Sequence, residues 1–195
     1  CPQAVVIKPD MAKYKRVSQQ IRKIFDTATP LVEPLSLDEA FLDLTGTTKL
    51  FDRTPAATLA YVSREIERHV QITVSIGLSY NKFLAKLASD YAKPRGICEV
   101  RAGWERGFVA GLPLQALPGV GPRTAEKLAA LGLTEVVQVQ QLEEEALARL
   151  VGDYARELKW RAHGHGSAAL HAGRPARSVS RETTLARDTV DADLL

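Results

Sequence analysis

The chain has 195 residues, 45% of them hydrophobic and 25% charged, and a formal net charge of +3. That is material for one good core, or a core with a small satellite domain. No apolar run approaches the ~20 residues that a bilayer span needs, the start Cys1-Pro2-Gln3 has no signal-peptide pattern, and Cys1 and Cys98 are too few for a disulfide scaffold and lack metal-ligand spacing, so a cytoplasmic protein with no membrane partner is expected.

In chain order, Ala4 to Lys8 predicts a short strand, and Asp10 is placed to cap a helix carrying Val17, Ile21, Ile24 and Phe25 at helical spacing and ending near Thr29-Pro30. Leu31 to Leu35 and Ala40 to Leu44 read as the arms of a hairpin closed by Thr45-Gly46. Pro55 to Val70 is periodic, with Thr54 as N-cap and proline at the first helical position. Ile72 to Ile76, rich in β-branched residues, predicts a buried strand. A helix from Asn81 to Tyr91 follows, broken by Pro94-Arg95-Gly96, and then a strand from Ile97 to Val100. After Arg101 only short helices are expected, over Trp104–Ala110, Pro122–Leu131, Glu135–Val139, Glu143–Leu150 and Tyr154–Ala162. A domain boundary falls near residues 101 to 112, and His163 to Pro175 reads as a flexible linker. Its histidines, His163, His165 and His171, have no cysteine or carboxylate at zinc-ligand spacing.

The positive charge is clustered. Lys13, Lys15, Arg16, Arg22 and Lys23 form one group, Lys82, Lys86, Lys93 and Arg95 a second, and Arg174, Arg177, Arg181 and Arg187 a third. Together they could track a polyanion; each alone is more simply a solvated face or tail.

Three motifs carry chemistry. In "PLSLDEAFLDLTG" the neighbours Asp38 and Glu39 sit between apolar arms. Adjacent strand residues point to opposite faces, so the two converge only at a turn, and like charges held together there call for a cation between them. Hard oxygen donors select Mg²⁺ or Mn²⁺, with substrate phosphates completing the shell, which points to phosphoryl transfer. On the dipeptide alone an ordinary acidic turn is the simpler reading. Asp10 is better explained as a helix cap, and Asp43 lies about 13 to 17 Å along the strand from the turn, so neither is assigned to the site. In "LPGVGPRTAEKLAALG", Gly119 and Gly121 bracket a tight turn before Pro122, with Arg123 and Lys127 beside it. The N–H groups at such a helix start favour an anion, as in a helix-hairpin-helix gripping a phosphate backbone, though a glycine-rich connection between packed helices has the same look. In "YNKFLAKLASDYAKPRG", helical spacing puts Leu84, Leu87, Ala88 and Tyr91 on a core face and leaves Lys82, Lys86 and Lys93 free. Lys93, at the helix end, is placed to reach toward a triphosphate, although alone it reads as a solvated lysine.

In this order and at this spacing the three motifs resemble a Y-family DNA polymerase of the DinB or DNA polymerase IV type, over nearly the whole chain. The resemblance implies an α+β fold: a partial polymerase palm, with an antiparallel or mixed sheet and packed helices, followed by a small all-helical thumb with a helix-hairpin-helix. It divides the chain into the end of the fingers region and its leading helix (1–30), palm (31–103), thumb (104–165), and linker with the start of the little finger (166–195), where Ser178 to Thr184 look like an opening strand. It implies template-directed DNA synthesis by a low-fidelity translesion polymerase. Asp38 and Glu39 would ligate two Mg²⁺ ions, or Mn²⁺, and Lys93 would contact the incoming triphosphate. Gly119, Val120, Gly121, Arg123, Thr124 and Lys127 would hold the duplex. The implied partners are primer-template DNA and deoxynucleoside triphosphates, with a sliding clamp through parts of the family fold not represented here, and the protein is expected to be a monomer. A further catalytic aspartate of the family, on a strand that would lie before Cys1, has no counterpart, so residues 1 to 195 alone are expected to synthesise little or no DNA. The other class of function is a non-catalytic relative that binds DNA through the helix-hairpin-helix.

Overall fold

A computed structural model describes residues 1–171. The first helix, α1 (Met11–Asp26), starts where Asp10 accepts the N–H of Lys13 at 2.9 Å. It presents Ile21, Ile24 and Phe25 to α3 (Pro55–Val70), whose Thr54 cap accepts from Ala57. Leu59, Val62 and Ile66 of α3 form one core with Ala28 and Leu44. Between the two helices lie an antiparallel hairpin, β1 (Val32–Pro34) and β2 (Ala40–Leu42), in register Glu33 to Phe41, and a short helix, α2 (Thr47–Phe51), for which the sequence has no periodic signal.

Strand β3 (Ile76–Leu78) runs parallel to β4 (Ile97–Glu99), connected by α4 (Lys82–Tyr91). Gly77 lies so close beneath α4 that a β-carbon there would sit 1.9 Å from the Ala85 carbonyl oxygen and 2.5 Å from the Ser89 nitrogen. Asn81 caps α4 by accepting from Leu84 at 2.8 Å. The two strand pairs are separate two-stranded sheets. Between them opens a cavity of about 1290 Å³, whose lining includes Leu42 and Asp43 on one side and Val74 and Ile76 on the other.

The remaining helices are α5 (Glu105–Ala110), α6 (Pro122–Ala130), α7 (Val136–Gln141), α8 (Glu144–Val151) and α9 (Tyr154–Ala162), with a 3₁₀ turn at Leu114–Ala116. Leu114, Leu128, Val136, Val139, Leu147 and Leu158 are buried in one cluster. Buried Gln140 ties three of the helices by donating to the carbonyls of Arg106 and Ala162 at 2.9 and 2.7 Å. Lys159 donates to the terminal carbonyls of α7, those of Val139, Gln140 and Leu142. This cluster does not stop where the strands end, because Leu84, Leu87 and Ala88 of α4 and Val100 after β4 belong to it.

Four expectations are corrected. Ala4 to Lys8 is irregular, and Val5, Val6 and Ile7 are exposed, because among the described residues no strand edge lies alongside to accept their hydrogen bonds. The strand expected over Ile72 to Ile76 starts at Ile76 instead: β4 pairs only with residues 76 to 78, and the apolar residues before it line the cavity without a backbone partner among the described residues. Tyr91 is exposed rather than in the core, standing edge-on to Phe108 with centroids 5.7 Å apart. The part of the expected linker up to His171 is laid along the start of α4 and β1: Asn81 donates to the Gly164 carbonyl at 3.1 Å, Lys82 N–H to that of Ser167 at 3.1 Å, and His171 N–H to Glu33 at 2.9 Å. Gly166 permits this contact, since a β-carbon there would come within 2.6 Å of Phe83 Cβ. The third basic cluster and Ser178 to Thr184 lie outside the described residues.

Candidate active site and nucleic-acid interface

The tip between β1 and β2 is shaped by Ser36. Its hydroxyl accepts the N–H groups of Asp38 and Glu39 at 3.3 and 3.0 Å and donates to Asp38 Oδ1 at 2.6 Å, so a single side chain sets the turn and one carboxylate. Asp38 and Glu39 are both exposed at the cavity, which also reaches Lys86, Asp90 and Lys93 of the α4 segment. The structure therefore brings the turn carboxylates and Lys93 to one cavity, although 54 positions separate Glu39 from Lys93 (93 minus 39).

Ion pairs join them in a row of alternating sign. Lys86 Nζ lies 2.6 Å from Glu39 Oε1 and 3.5 Å from Asp90 Oδ2, and Lys93 Nζ lies 2.6 Å from Asp90 Oδ1. Partial burial alone would disfavour the Lys86 ammonium, but its hydrogen bond to Glu39 and the charges of Asp90 and Glu39 outweigh it and raise its pKa. Burial likewise pushes the Asp90 carboxyl up, and Lys93 and Lys86 together bring it below the ordinary carboxylate range. A separate pair, Lys82 to Glu33 at 2.9 Å, ties α4 to β1. Lys82 and Lys86 are thus bound to carboxylates rather than free.

Among the described residues no group of three or more His, Cys, Asp and Glu side chains is gathered at metal-ligand spacing. Two exposed carboxylates beside an open cavity nevertheless fit Mg²⁺, which takes one or two carboxylates and fills its octahedron with waters and phosphate oxygens. Glu39 already holds a cation, the Lys86 ammonium.

The second site is the turn before α6, apart from this cavity. Leu117 and Val120 anchor it from below, and Gly119 has φ +96°. Arg161 of α9 donates to the Pro118 carbonyl and stands 2.9 Å from where a Gly119 β-carbon would lie. No side chain caps α6, and its first helical bond runs from Ala125 to Gly121, so the N–H groups of Arg123 and Thr124 lie in an uncapped first turn. Arg123 and Lys127 are exposed beside it. Val120 differs from the other predicted contacts: its side chain is buried and its N–H is donated to Leu117 at 2.9 Å.

Residues 1–90 match the model of the impB/mucB/samB family. DNA polymerase IV of Caulobacter vibrioides is 46% identical over 188 residues, covering 96% of this chain and 47% of the relative. The chain belongs to the Y family of DNA polymerases. Among solved structures, a Y-family DNA polymerase chimera of Dbh and Dpo4 superposes with a TM-score of 0.73 at 25% identity, over 92% of this chain and 51% of that one. DinB from Sulfolobus solfataricus, at 24% identity, shares the fold with a TM-score of 0.70 over 84% of this chain and 49% of that one. The chain thus spans about half the length of the Y-family relatives it matches.

Sequence reasoning missed Lys86, Asp90 and Arg161. The spacing of Lys86, Asp90 and Lys93, four and three residues apart, is a readable signal for pairs along one helix and its C-terminal turn. Nothing local signals the contact of Lys86 with Glu39, which depends on how the hairpin docks on α4.

Proposed function

We propose that this chain forms the palm and thumb of a translesion DNA polymerase, joining deoxynucleoside triphosphates to a primer under the direction of a template. The observation that supports this best is the single cavity shared by Asp38, Glu39 and Lys93. Asp38 and Glu39 would hold Mg²⁺, with Mn²⁺ as a substitute, and when bound the cation stabilises charge on the attacking and leaving oxygens of the transferred phosphorus. The chain's own work is placement. Ser36 fixes the carboxylates through the turn, and Lys93, two residues past the end of α4, whose Leu84, Leu87 and Ala88 are rooted in the helical core, would reach a triphosphate beside them. The uncapped start of α6, with Arg123 and Lys127, would hold the duplex by its phosphates, which gives affinity without sequence preference. The proposed domains are the palm over residues 31–103 and the thumb over 104–165.

Primer extension with Mg²⁺ by the intact protein tests this reading. Asp38→Asn should reduce extension by more than the roughly hundredfold typical of outer-shell changes at metal sites, with duplex binding unchanged. Duplex binding without extension by the unaltered intact protein would favour the non-catalytic reading, in which the helix-hairpin-helix is the working part.

A further inference from the structure

The row Glu39, Lys86, Asp90, Lys93 alternates negative and positive charge and joins the two proposed binding elements end to end. Both outer members are already satisfied. Glu39 holds an ammonium at 2.6 Å and Lys93 holds a carboxylate at 2.6 Å, so a cation or a triphosphate arriving at this site must replace a side chain rather than meet a bare charge. The two inner members lie one helical turn apart, 3.5 Å from each other, within reach of each other on one helix face although lysine before acid is the weaker order of such a pair.

We propose that Lys86 and Asp90 are the resting counter-ions of the site: Lys86 holds Glu39 until a divalent cation takes it, Asp90 holds Lys93 until a triphosphate takes it, and the two released side chains then neutralise each other. This rests on the assignment of Glu39 to the cation and Lys93 to the nucleotide. The exchange makes the ligands cooperative. A cation arriving alone leaves Lys86 to share Asp90 with Lys93, and a triphosphate arriving alone leaves Asp90 beside a lysine still bound to Glu39. Only when both arrive do Lys86 and Asp90 have each other to themselves, so the pair links the two binding equilibria. Lys86 and Asp90 are therefore positioning residues, touching neither ligand in the loaded site.

The test measures binding, not turnover. In the intact protein, a fluorescent deoxynucleoside triphosphate is titrated with and without saturating Mn²⁺, and Mn²⁺ is titrated alone by electron paramagnetic resonance. Asp90→Asn should tighten Mn²⁺-free triphosphate binding by about two- to fivefold, and Lys86→Met should tighten nucleotide-free Mn²⁺ binding by about as much, the range that exposed ion pairs contribute. In each variant the factor by which Mn²⁺ strengthens triphosphate binding should fall by a similar amount. Asp43→Asn is the charge control: it removes a carboxylate from the same cavity, but one engaged only with the Thr45 N–H at 2.8 Å. An unchanged coupling factor in both variants, or equal shifts from Asp43→Asn, would overturn the exchange while leaving the site assignment standing. If the unaltered protein binds no triphosphate even with Mn²⁺, the site assignment fails and the exchange with it. Asp90→Asn is isosteric on an exposed helix face; should it not fold, Lys86→Met carries the same comparison.

Discussion

At the mouth of the cavity, position is set by side-chain charges: Glu39 by Lys86, Lys93 by Asp90, and Asp38 by the Ser36 hydroxyl. At the turn before α6, it is set by backbone: a glycine with φ +96°, a carbonyl held by Arg161, and flanking Leu117 and Val120 sunk in the core. The contrast follows the ligands each would meet. In the proposed reaction a cation and a nucleotide would come and go each cycle, and exposed ion pairs, worth about 1 kcal/mol or less, are readily exchanged. A phosphate backbone sliding past needs donors that stay fixed whatever the sequence, which packed helices supply.

The difference can be strained from either side. The largest effect is expected at Gly77, where any side chain meets the backbone of α4 rather than a movable side chain. Gly77→Val should destabilise by more than about 4 kcal/mol, beyond ordinary overpacking, by lifting the helix that carries Lys86 and Asp90. Thermal unfolding measures this, and a melting temperature within a few degrees of the unaltered protein would show that the sheet and helix are less tightly apposed than described. A smaller effect belongs to the turn. Gly119→Ala places a β-carbon against Arg161 at a positive φ, a strain of about 1 to 3 kcal/mol. It should weaken duplex binding severalfold at fixed salt while leaving the slope of affinity against salt unchanged, because no charged contact is removed. A flatter slope would mean that Arg161 itself meets a phosphate.

The smallest effect concerns pH. Burial raises the Glu33 carboxyl, but the His171 N–H and the Lys82 ammonium outweigh it and leave the pKa below the ordinary carboxylate value. A depressed carboxylate contributes stability above its unfolded-state pKa and loses it as the pH falls through the folded value. Acid should therefore loosen residues 167–171 from β1 and α4 before either core unfolds, seen as faster amide exchange at His171 once opening equilibria are corrected for pH. Equal protection at neutral and acid pH would assign the docking of this segment to Gly166 and Asn81 alone.

Most helices were legible in the sequence because their signals are local: Asp10, Thr54 and Asn81 cap where their side chains predict, and Leu84, Leu87 and Ala88 face the core as their spacing requires. The strands were less so. Ile72 to Val74 have the β-branched character of a strand but no neighbour to bond with, and pairing is settled by distant residues rather than by propensity. The same limit hid part of the site. Asp38, Glu39 and Lys93 stand out as motifs, whereas Lys86 reads as one more surface lysine until the hairpin is folded against it. Residues 164 to 171 misled for a related reason: glycine and alanine suggest freedom, but here small residues allow close contact with Phe83.

Asn81 deserves a last look for what it connects. Its side-chain oxygen closes the first turn of α4, and its side-chain nitrogen holds the chain just as it leaves α9. On the same helix, Leu84, Leu87 and Ala88 are embedded among the helices that carry the Gly119 turn. Helix α4, which carries Lys86 and Asp90, is thus keyed at its root into the helical body that carries this turn. A tilt of that body would carry α4 with it, so under the proposed reading the hold on a duplex and the position of Lys93, just past the end of α4, would shift together.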